Sequence, residues 1–157
     1  MGTIGVEGQT GVGPFHVYGQ AGYTDTLAWS GDDKLRAYYA HLETRYFLEP
    51  NLMLSADAGY SRAKEIYEDE PHDLWRWGLN LEWRAPSSWW GAFVSYQGVF
   101  DHETGTSIDD FTNHSVFAGL TIHFDPGTLE SKSESDATLK NFNPFTGVNH
   151  VRMFDWN

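Results

Sequence analysis

Few residues of this chain have the types and spacing that chemistry requires. His114 stands beside Ser115, which places a base next to a hydroxyl nucleophile, and Asp101-His102-Glu103 is a run of metal-ligand side chains. His114 and Ser115 are adjacent in an alternating stretch, so their side chains point to opposite faces of a strand. The acidic run has no second cluster at ligand spacing. Because the chain also lacks a phosphate-binding glycine loop and the GxSxG and HExxH motifs, we predict no catalytic residue, metal or cofactor.

Charged residues of both signs share the polar faces of several stretches in which apolar and polar residues alternate. Glu43 and Arg45 lie on one face of one stretch, and Arg76 and Glu82 lie on one face of another. We expect each pair to associate in an enclosed interior, because an unpaired buried charge is costly. In a wider interior the same side chains would line a pore and bias its selectivity.

Seven stretches alternate apolar and polar residues with a period of two, which indicates strands with one apolar and one polar face. Each is about 9–12 residues long, the length that a tilted strand needs to cross a hydrocarbon core. The clearest runs from Asp73 to Arg84. Its apolar face carries five large side chains: Trp75, Trp77, Leu79, Leu81 and Trp83.

The polar faces of these strands are the predicted lining of the interior. A membrane barrel turns this face inward, where charges can pair and water can enter. The residues predicted to line this lumen are Glu7, His16, Gln20, His41, Glu43, Arg45, Asp57, Arg76, Asn80, Glu82, Gln97 and His123.

The connections between the strands alternate between short and long. The short ones are tight turns at 11–14, 49–51 and 85–88, and the long ones are polar loops at 24–34, 61–73 and 101–113. Outer-membrane barrels have short turns on the periplasmic side and long loops outside. The alternation therefore predicts an antiparallel up-and-down transmembrane β-barrel with about seven or eight strands in this chain.

Aromatic residues cluster near both ends of the strands, which predicts two girdles at the membrane–water interfaces. Those near the short turns are Phe15, Tyr46, Phe47, Trp83, Trp89, Trp90 and Phe124. Those near the long loops are Tyr23, Trp29, Tyr38, Tyr39, Tyr60, Trp75 and Phe100.

Strand parity and the tail bear on the extent of the barrel. If the short turns are periplasmic, the first strand and the strand ending at Phe124 both run toward the periplasm, so the number of strands is odd. Single-chain bacterial barrels have an even number of strands. We therefore expect that upstream strands are missing or that the tail supplies one, and that a signal peptide was removed or belongs to a missing upstream part. The end of the tail, 148–156, is either a late strand or a segment that plugs the barrel or docks elsewhere. Residues 1–124 are predicted to form the barrel strands, and 125–157 a polar extension, flexible or lying against the rim.

Composition narrows the function classes. The chain has 157 residues, a net charge of −12 and a pI of about 4.7, which excludes nucleic acid as a partner because binding it requires Lys and Arg. Its mean hydropathy of −0.49 suits a barrel, in which only alternate residues face lipid. No run of 18 apolar residues and no cysteine occurs, so transmembrane helices and disulfides are excluded.

The pattern resembles that of bacterial outer-membrane β-barrel proteins. The alternating segment from Val116 to Phe124 is similar to the terminal signal read by the barrel-assembly machinery. Segments 6–8, 17–23, 45–47 with 51–52, and 78–83 resemble a group of proteobacterial porin-like proteins, and the resemblance extends over residues 3–124. It implies the lipid bilayer and the assembly machinery as partners and supplies no catalytic residue or ligand. The tail after Phe124 departs from the family pattern.

We therefore predict a barrel in the outer membrane of a Gram-negative bacterium, with a structural role or a role in passive diffusion of small solutes and no chemistry. One alternative is a soluble β-barrel that binds an apolar small molecule inside. Against it, a small closed interior has limited room for so many Trp, Tyr and Phe side chains. The other is a lipid-modifying outer-membrane enzyme that uses His114 and Ser115. Pore width, solute and oligomeric state are not predicted.

Overall fold

The computed structural model describes residues 2–26, 35–65, 71–103, 110–124 and 127–135. These residues form seven strands and one short helix: β1 (Gly2–Val12), β2 (Phe15–Thr26), β3 (Leu35–Glu49), β4 (Leu52–Glu65), β5 (Pro71–Arg84), β6 (Trp90–Glu103), β7 (Phe111–Ile122) and α1 (Leu129–Ser135). The strands form one antiparallel sheet in which each strand pairs with the next along the chain. The predicted up-and-down all-β fold is confirmed.

The strands are longer than predicted, and the extra length lies at the long-loop end. They contain 11 to 15 residues, and β4 continues to Glu65, well past the predicted start of its loop at Ser61. Polar side chains support these extensions, because Asp25 lies opposite Arg36 and Arg62 lies opposite Asp73 in the strand register. The predicted loop boundaries were therefore wrong by several residues, whereas the three short turns lie where they were predicted.

The two faces of the sheet differ sharply in exposure. Polar side chains on one face are buried, with Glu43 only 3% exposed and His16 only 7% exposed. Apolar side chains on the other face are open, with Leu79 52% exposed and Val94 53% exposed. We call these the inner face and the outer face. A soluble β-barrel would bury its apolar face, so the alternative of an apolar binding cavity is not supported.

The first and last strands are the edges of the sheet. In the described part of the chain, β1 pairs only with β2 and β7 pairs only with β6. Their outer-face residues are correspondingly open, with Val6 77% exposed and Val116 72% exposed. The described sheet is therefore a wall with two edges that are not joined to each other.

Most of the predicted girdle residues lie on the outer face near the ends of the strands. Tyr39 and Phe47 are exceptions, because both are buried on the inner face, at 6% and 4% exposure. Each follows an outward-facing tyrosine, Tyr38 or Tyr46, and neighbouring residues in a strand point to opposite faces. Trp29 lies outside the described residues.

Helix α1 was not predicted from the sequence. A reciprocal cap begins it: Ser131 donates its backbone N–H to the Thr128 hydroxyl, and Thr128 donates its own N–H to the Ser131 hydroxyl (3.1 and 3.0 Å). In the described residues, no helix has the length and apolar character needed to cross a membrane. The suggested strand at 148–156 lies outside the described residues, and the division at residue 124 stays a prediction.

Candidate functional site

The inner face of the sheet is the candidate functional site. The strand register and burial place all twelve predicted lining residues on this face, and their role in lining a lumen stays a prediction. The buried ones are His16, Glu43, Arg45 and His123; the half-buried ones are Gln20, His41, Asp57, Arg76, Asn80 and Glu82; the exposed ones are Glu7 and Gln97.

A buried ion pair lies near the short-turn end of the inner face. Arg45 Nε donates to Glu43 Oε1 at 2.8 Å, and the two residues are 6% and 3% exposed. The predicted association of these two residues is confirmed. Charge-assisted hydrogen bonds of this length are strong, and they offset the cost of removing both charges from water.

The predicted pairing of Arg76 with Glu82 is wrong. Six residues along one strand separate these two side chains by about 20 Å, too far for contact. Glu82 instead lies beside His123, with 3.9 Å between Oε1 and Nε2. Arg76 feels the charge of Asp57, which also lies 3.5 Å from His41 Nε2.

A glycine provides the space for the Asp57 carboxylate. Gly78 lies directly opposite Asp57 in the register of β4 and β5. A Cβ at position 78 would lie well inside contact distance of the Asp57 carboxylate oxygen. A side chain at this position would therefore displace the carboxylate from its place beside His41 and Arg76.

Helix α1 crosses the inner face at the short-turn end. Ser133 Oγ lies 2.8 Å from His16 Nδ1 and accepts a hydrogen bond from Arg45 Nη1 at 3.1 Å. Gln9 donates to the Ser133 carbonyl at 3.3 Å. On the other side, Lys132 Nζ lies 3.5 Å from His123 Nδ1. The helix therefore connects the first three strands with the segment that follows β7.

An apolar contact fixes the start of the same helix. Leu129, 7% exposed, packs against Phe47 and Met53 on the inner face. The Glu130 N–H donates to the Pro50 carbonyl in the β3–β4 turn at 3.2 Å. Beside the helix remains a cavity of about 260 Å³, whose wall includes Tyr18 and Ser133.

Sequence reasoning missed Ser133, Lys132 and Leu129 as parts of this site. The partners of Ser133 are remote in sequence, 117 residues away at His16 and 88 residues away at Arg45, whereas Lys132 and His123 are 9 residues apart. One local signal could have indicated the helix, because Thr128 and Ser131 have the spacing of a helix cap. Nothing in the sequence indicated that this helix docks onto the inner face.

His114 and Ser115 lie on opposite faces of β7, as their adjacency predicted. His114 is on the outer face, where its ring stacks on Tyr96 with 5.9 Å between centroids and its Nδ1 lies 2.8 Å from the Tyr96 hydroxyl. Ser115 lies opposite Gln97 on the inner face. The two side chains therefore do not form a base–nucleophile pair. Within the described ranges, no group of three or more acidic or histidine side chains is placed to hold a metal.

An antiparallel meander with a buried polar face and an open apolar face has the arrangement of a membrane β-barrel wall. Solved structures with this fold include three of OmpT, an outer membrane protein of Vibrio cholerae. The trimer form of in-vitro folded OmpT is 10% identical, and the match covers 77% of this chain and 40% of that chain with a TM-score of 0.64. OmpT expressed in the outer membrane is 10% identical over 78% of this chain and 41% of that chain, with a TM-score of 0.65. The loop L8 deletion mutant is 9% identical over 77% and 43%, with a TM-score of 0.62.

These comparisons show the fold. The chain has the fold of bacterial outer-membrane β-barrels, as predicted, and spans about two fifths of the length of the solved structures it matches. The predicted location and the predicted association with a lipid bilayer agree with these neighbours, all of which are outer membrane proteins. No family model and no curated protein matches the chain.

Proposed function

We propose that this chain forms part of the wall of an outer-membrane pore through which small polar solutes diffuse passively in a Gram-negative bacterium, without chemistry. The contrast between the two faces carries the proposal. The outer face offers lipid-compatible side chains such as Leu79 and Val94, whereas the inner face offers charges such as Glu43 and Asp57. A polar surface turned away from lipid is suited to water and solutes.

The ends of the strands support an orientation across the membrane. On the outer face, Tyr60 and Trp75 lie toward the long loops with 4.7 Å between ring centroids, and Trp83 and Trp90 lie toward the short turns with 5.4 Å between theirs. Such aromatic pairs are expected at membrane–water interfaces. The long loops would then lie outside the cell and the short turns in the periplasm.

The two sheet edges support a wall larger than seven strands. Each unpaired backbone group costs several kcal/mol in hydrocarbon, so strand edges do not occur exposed to lipid. In the described residues, β1 and β7 do not pair with each other. The edges formed by β1 and β7 therefore require further strands. The OmpT structures are longer than this chain, which is consistent with that requirement. The barrel-assembly machinery, the partner implied by the terminal signal, would insert the completed wall.

Helix α1 would narrow the passage at the periplasmic end. It occupies the inner face between His16 and His123 and is held there by polar and apolar contacts. A narrow passage would admit ions and small sugars and exclude larger solutes. The lining beside α1 carries charges of both signs, which favours weak rather than strong charge selectivity.

The test is solute permeation by the complete barrel, this chain together with the strands that complete the wall, refolded into liposomes, with folding followed by heat-modifiable gel mobility. We expect sugar-dependent liposome swelling that falls with sugar size, together with single-channel conductance. Gln97→Lys adds one positive charge to the inner face and should shift the reversal potential toward anions. Glu49→Gln makes the same change in net charge beside the β3–β4 turn and should shift it less.

Three results would count against the proposal. A folded, inserted protein that passes neither ions nor sugars would leave only a structural role. Lipid turnover by the folded protein would instead restore the enzyme alternative. Equal shifts of the reversal potential in Gln97→Lys and Glu49→Gln would show that position 97 does not face the conducting path.

A further inference from the structure

Two histidines contact helix α1 on the inner face, one on each side of the helix. His16 Nδ1 on β2 lies 2.8 Å from Ser133 Oγ, and His123 Nδ1, just after β7, lies 3.5 Å from Lys132 Nζ. Both histidines are more than nine-tenths buried, at 7% and 6% exposure. Because histidine changes its charge between pH 5 and 8, the protonation state of both rings bears on how the helix is held.

The contact with Lys132 requires a neutral His123. A lysine ammonium has three donors and no acceptor, so Lys132 can only donate in this contact. His123 Nδ1 therefore carries a lone pair, and the ring proton lies on Nε2. A protonated ring has no lone pair to offer, and its positive charge would lie beside the ammonium, with 3.5 Å between the two nitrogens.

The contact with Ser133 also favours a neutral ring. Arg45 has donors only, and its Nη1 donates to Ser133 Oγ at 3.1 Å. The single hydroxyl proton of Ser133 is then donated to His16 Nδ1. Protonation of His16 removes the acceptor of this proton and places an imidazolium next to the Arg45 guanidinium. A neutral His16 thus completes a chain of donors that runs from Arg45 through Ser133.

The charges around His123 favour exchange of one partner for another in acid. Glu82 on β5 has its Oε1 3.9 Å from His123 Nε2, so a carboxylate lies beside the ring on the side away from Lys132. Arg84, at the end of β5, donates through Nε and Nη2 to the Ser88 carbonyl at 3.3 Å. A protonated His123 would therefore be attracted by Glu82 and repelled by Lys132.

The charges around His16 are balanced while the ring is neutral. Arg45 on β3 donates to Glu43 at 2.8 Å, and Glu7, the charged residue of β1, accepts a hydrogen bond from the Tyr18 hydroxyl at 2.7 Å. Both carboxylates thus have hydrogen-bond donors already. A charged His16 would add a second buried cation next to Arg45, which is unfavourable.

The other contacts of the helix do not depend on histidine charge. Leu129 packs against Phe47 and Met53, and the Glu130 N–H donates to the Pro50 carbonyl. These contacts fix the start of α1, whereas the contacts of Lys132 and Ser133 fix its end. With seven residues, α1 is too short to be stable without its contacts, so a released end would also unwind.

We propose that α1 is a gate controlled by pH. Protonation of His16 and His123 releases the end of the helix from the inner face, and the passage at the short-turn end becomes wider in acid. The effect on solutes rests on the proposed function, whereas the release of the helix does not.

The first measurement is amide hydrogen exchange in the complete barrel, this chain together with the strands that complete the wall, folded in detergent. It compares pH 7.5 with pH 5.5, where Asp and Glu remain ionised, and corrects for the intrinsic pH dependence of exchange. We expect the protection of amides 132–135 to fall about tenfold or more in acid, because two hydrogen bonds are lost. The amides of β3 should keep their protection.

The second measurement is single-channel conductance of the same barrel at the two pH values, which we expect to be larger at pH 5.5. In His16→Asn/His123→Asn, each amide provides a hydrogen-bonding group near the position of Nδ1 and does not titrate. This variant should keep α1 docked and lose both acid responses. The matched control His41→Asn/His114→Asn removes two histidines that do not contact α1 and should keep the acid response of the helix.

A second variant tests one of the two contacts separately. In Lys132→Gln the side-chain amide can donate to a neutral His123 and accept from a protonated one, so this contact persists in acid. We expect the fall in protection to shrink to about threefold, because only the contact of His16 is then lost. Gel mobility establishes that each variant is folded. Lys132→Gln provides the test if the double histidine variant does not fold.

Four outcomes separate this proposal from the proposed function. Equal protection of α1 at the two pH values would overturn the gate, whatever the conductance. An undiminished acid response in His16→Asn/His123→Asn or in Lys132→Gln would assign the response to other groups and overturn it as well. Acid release of α1 without a change in the conductance of an open barrel would overturn the widening. Acid release in a barrel that passes neither ions nor sugars would support the release of α1 and overturn the role in diffusion.

Discussion

The inner and outer faces of this sheet belong to the same strands, yet they solve opposite physical problems. Glu43 and Arg45 are buried on the inner face, where Arg45 also contacts Ser133 of α1, whereas Leu42, the residue before Glu43, points outward and is 52% exposed. In water this arrangement would be unfavourable, because apolar area costs about 25 cal/mol per Å² when exposed. In a bilayer the apolar side chains of the outer face would contact lipid hydrocarbon instead of water. Burial alone therefore does not mark a hydrophobic core, and the chemistry of the exposed face indicates the medium.

The largest effect should come from breaking the buried ion pair. Glu43→Gln leaves the Arg45 charge buried without its carboxylate, and we expect the free energy of unfolding to fall by about 3–5 kcal/mol. Denaturant titration of the folded protein in detergent, followed by gel mobility, measures this change. The exposed Glu49→Gln should change stability by less than about 0.5 kcal/mol. A smaller loss in Glu43→Gln/Arg45→Met than in Glu43→Gln would confirm the origin of the cost, and a neutral Glu43→Gln would contradict it.

A charged substitution on the outer face tests directly whether that face contacts lipid. Leu79→Arg places a guanidinium near the middle of the apolar band, and we expect a loss of about 2–4 kcal/mol in lipid bilayers. The adjacent Asn80→Arg points to the inner face and should lose less. The measurement is the unfolding free energy of both variants in liposomes. Equal losses would mean that the outer face does not meet lipid.

The helix on the inner face should respond to the loss of one hydroxyl. Ser133→Ala removes the hydrogen bonds to His16 and Arg45, and we expect a loss of about 1–2 kcal/mol in stability together with a larger single-channel conductance. Ser115→Ala, on the inner face of β7, should alter neither quantity. If Ser133→Ala leaves conductance unchanged, α1 does not narrow the passage.

The smallest effect concerns a contact outside the membrane-spanning part of the sheet. His102 is the last residue but one of β6 and its partner Asp110 precedes β7; their hydrogen bond, 2.5 Å from Nδ1, raises the pKa of the imidazole above its usual 6.5. A raised histidine pKa stabilises the folded state fully below pH 6.5, and this stabilisation disappears as pH rises through the higher folded value.

Both groups of this contact are about half exposed, so the stabilisation is small. We expect an NMR titration of the wild type to report the raised pKa and Asp110→Asn to return it toward 6.5. The stability of His102→Gln should lose the corresponding dependence on pH above 6.5. An unchanged His102 titration in Asp110→Asn would contradict the role of this contact.

The sequence predicted what alternation and turns encode. The period of two determined which face each strand residue occupies, so the strand order, the short turns and the inner position of Arg45 followed from neighbouring residues. Arg76 and Glu82 were paired incorrectly because a shared face says nothing about distance along a strand. The docking of Ser133 could not be predicted, since its partners lie on β2 and β3, 117 and 88 residues away, and no local pattern encodes such a contact.

The attachment of α1 to the end of β7 has a consequence for the order of folding. Ser133 reaches residues on β2 and β3 only after every intervening strand has paired, because its partners are 117 and 88 residues away in the chain. Contacts so remote in sequence form late, after the loops between them have closed. The helix is thus a built-in reporter of completion: protection of the 129–133 backbone from protease should appear only once the last strand is in place.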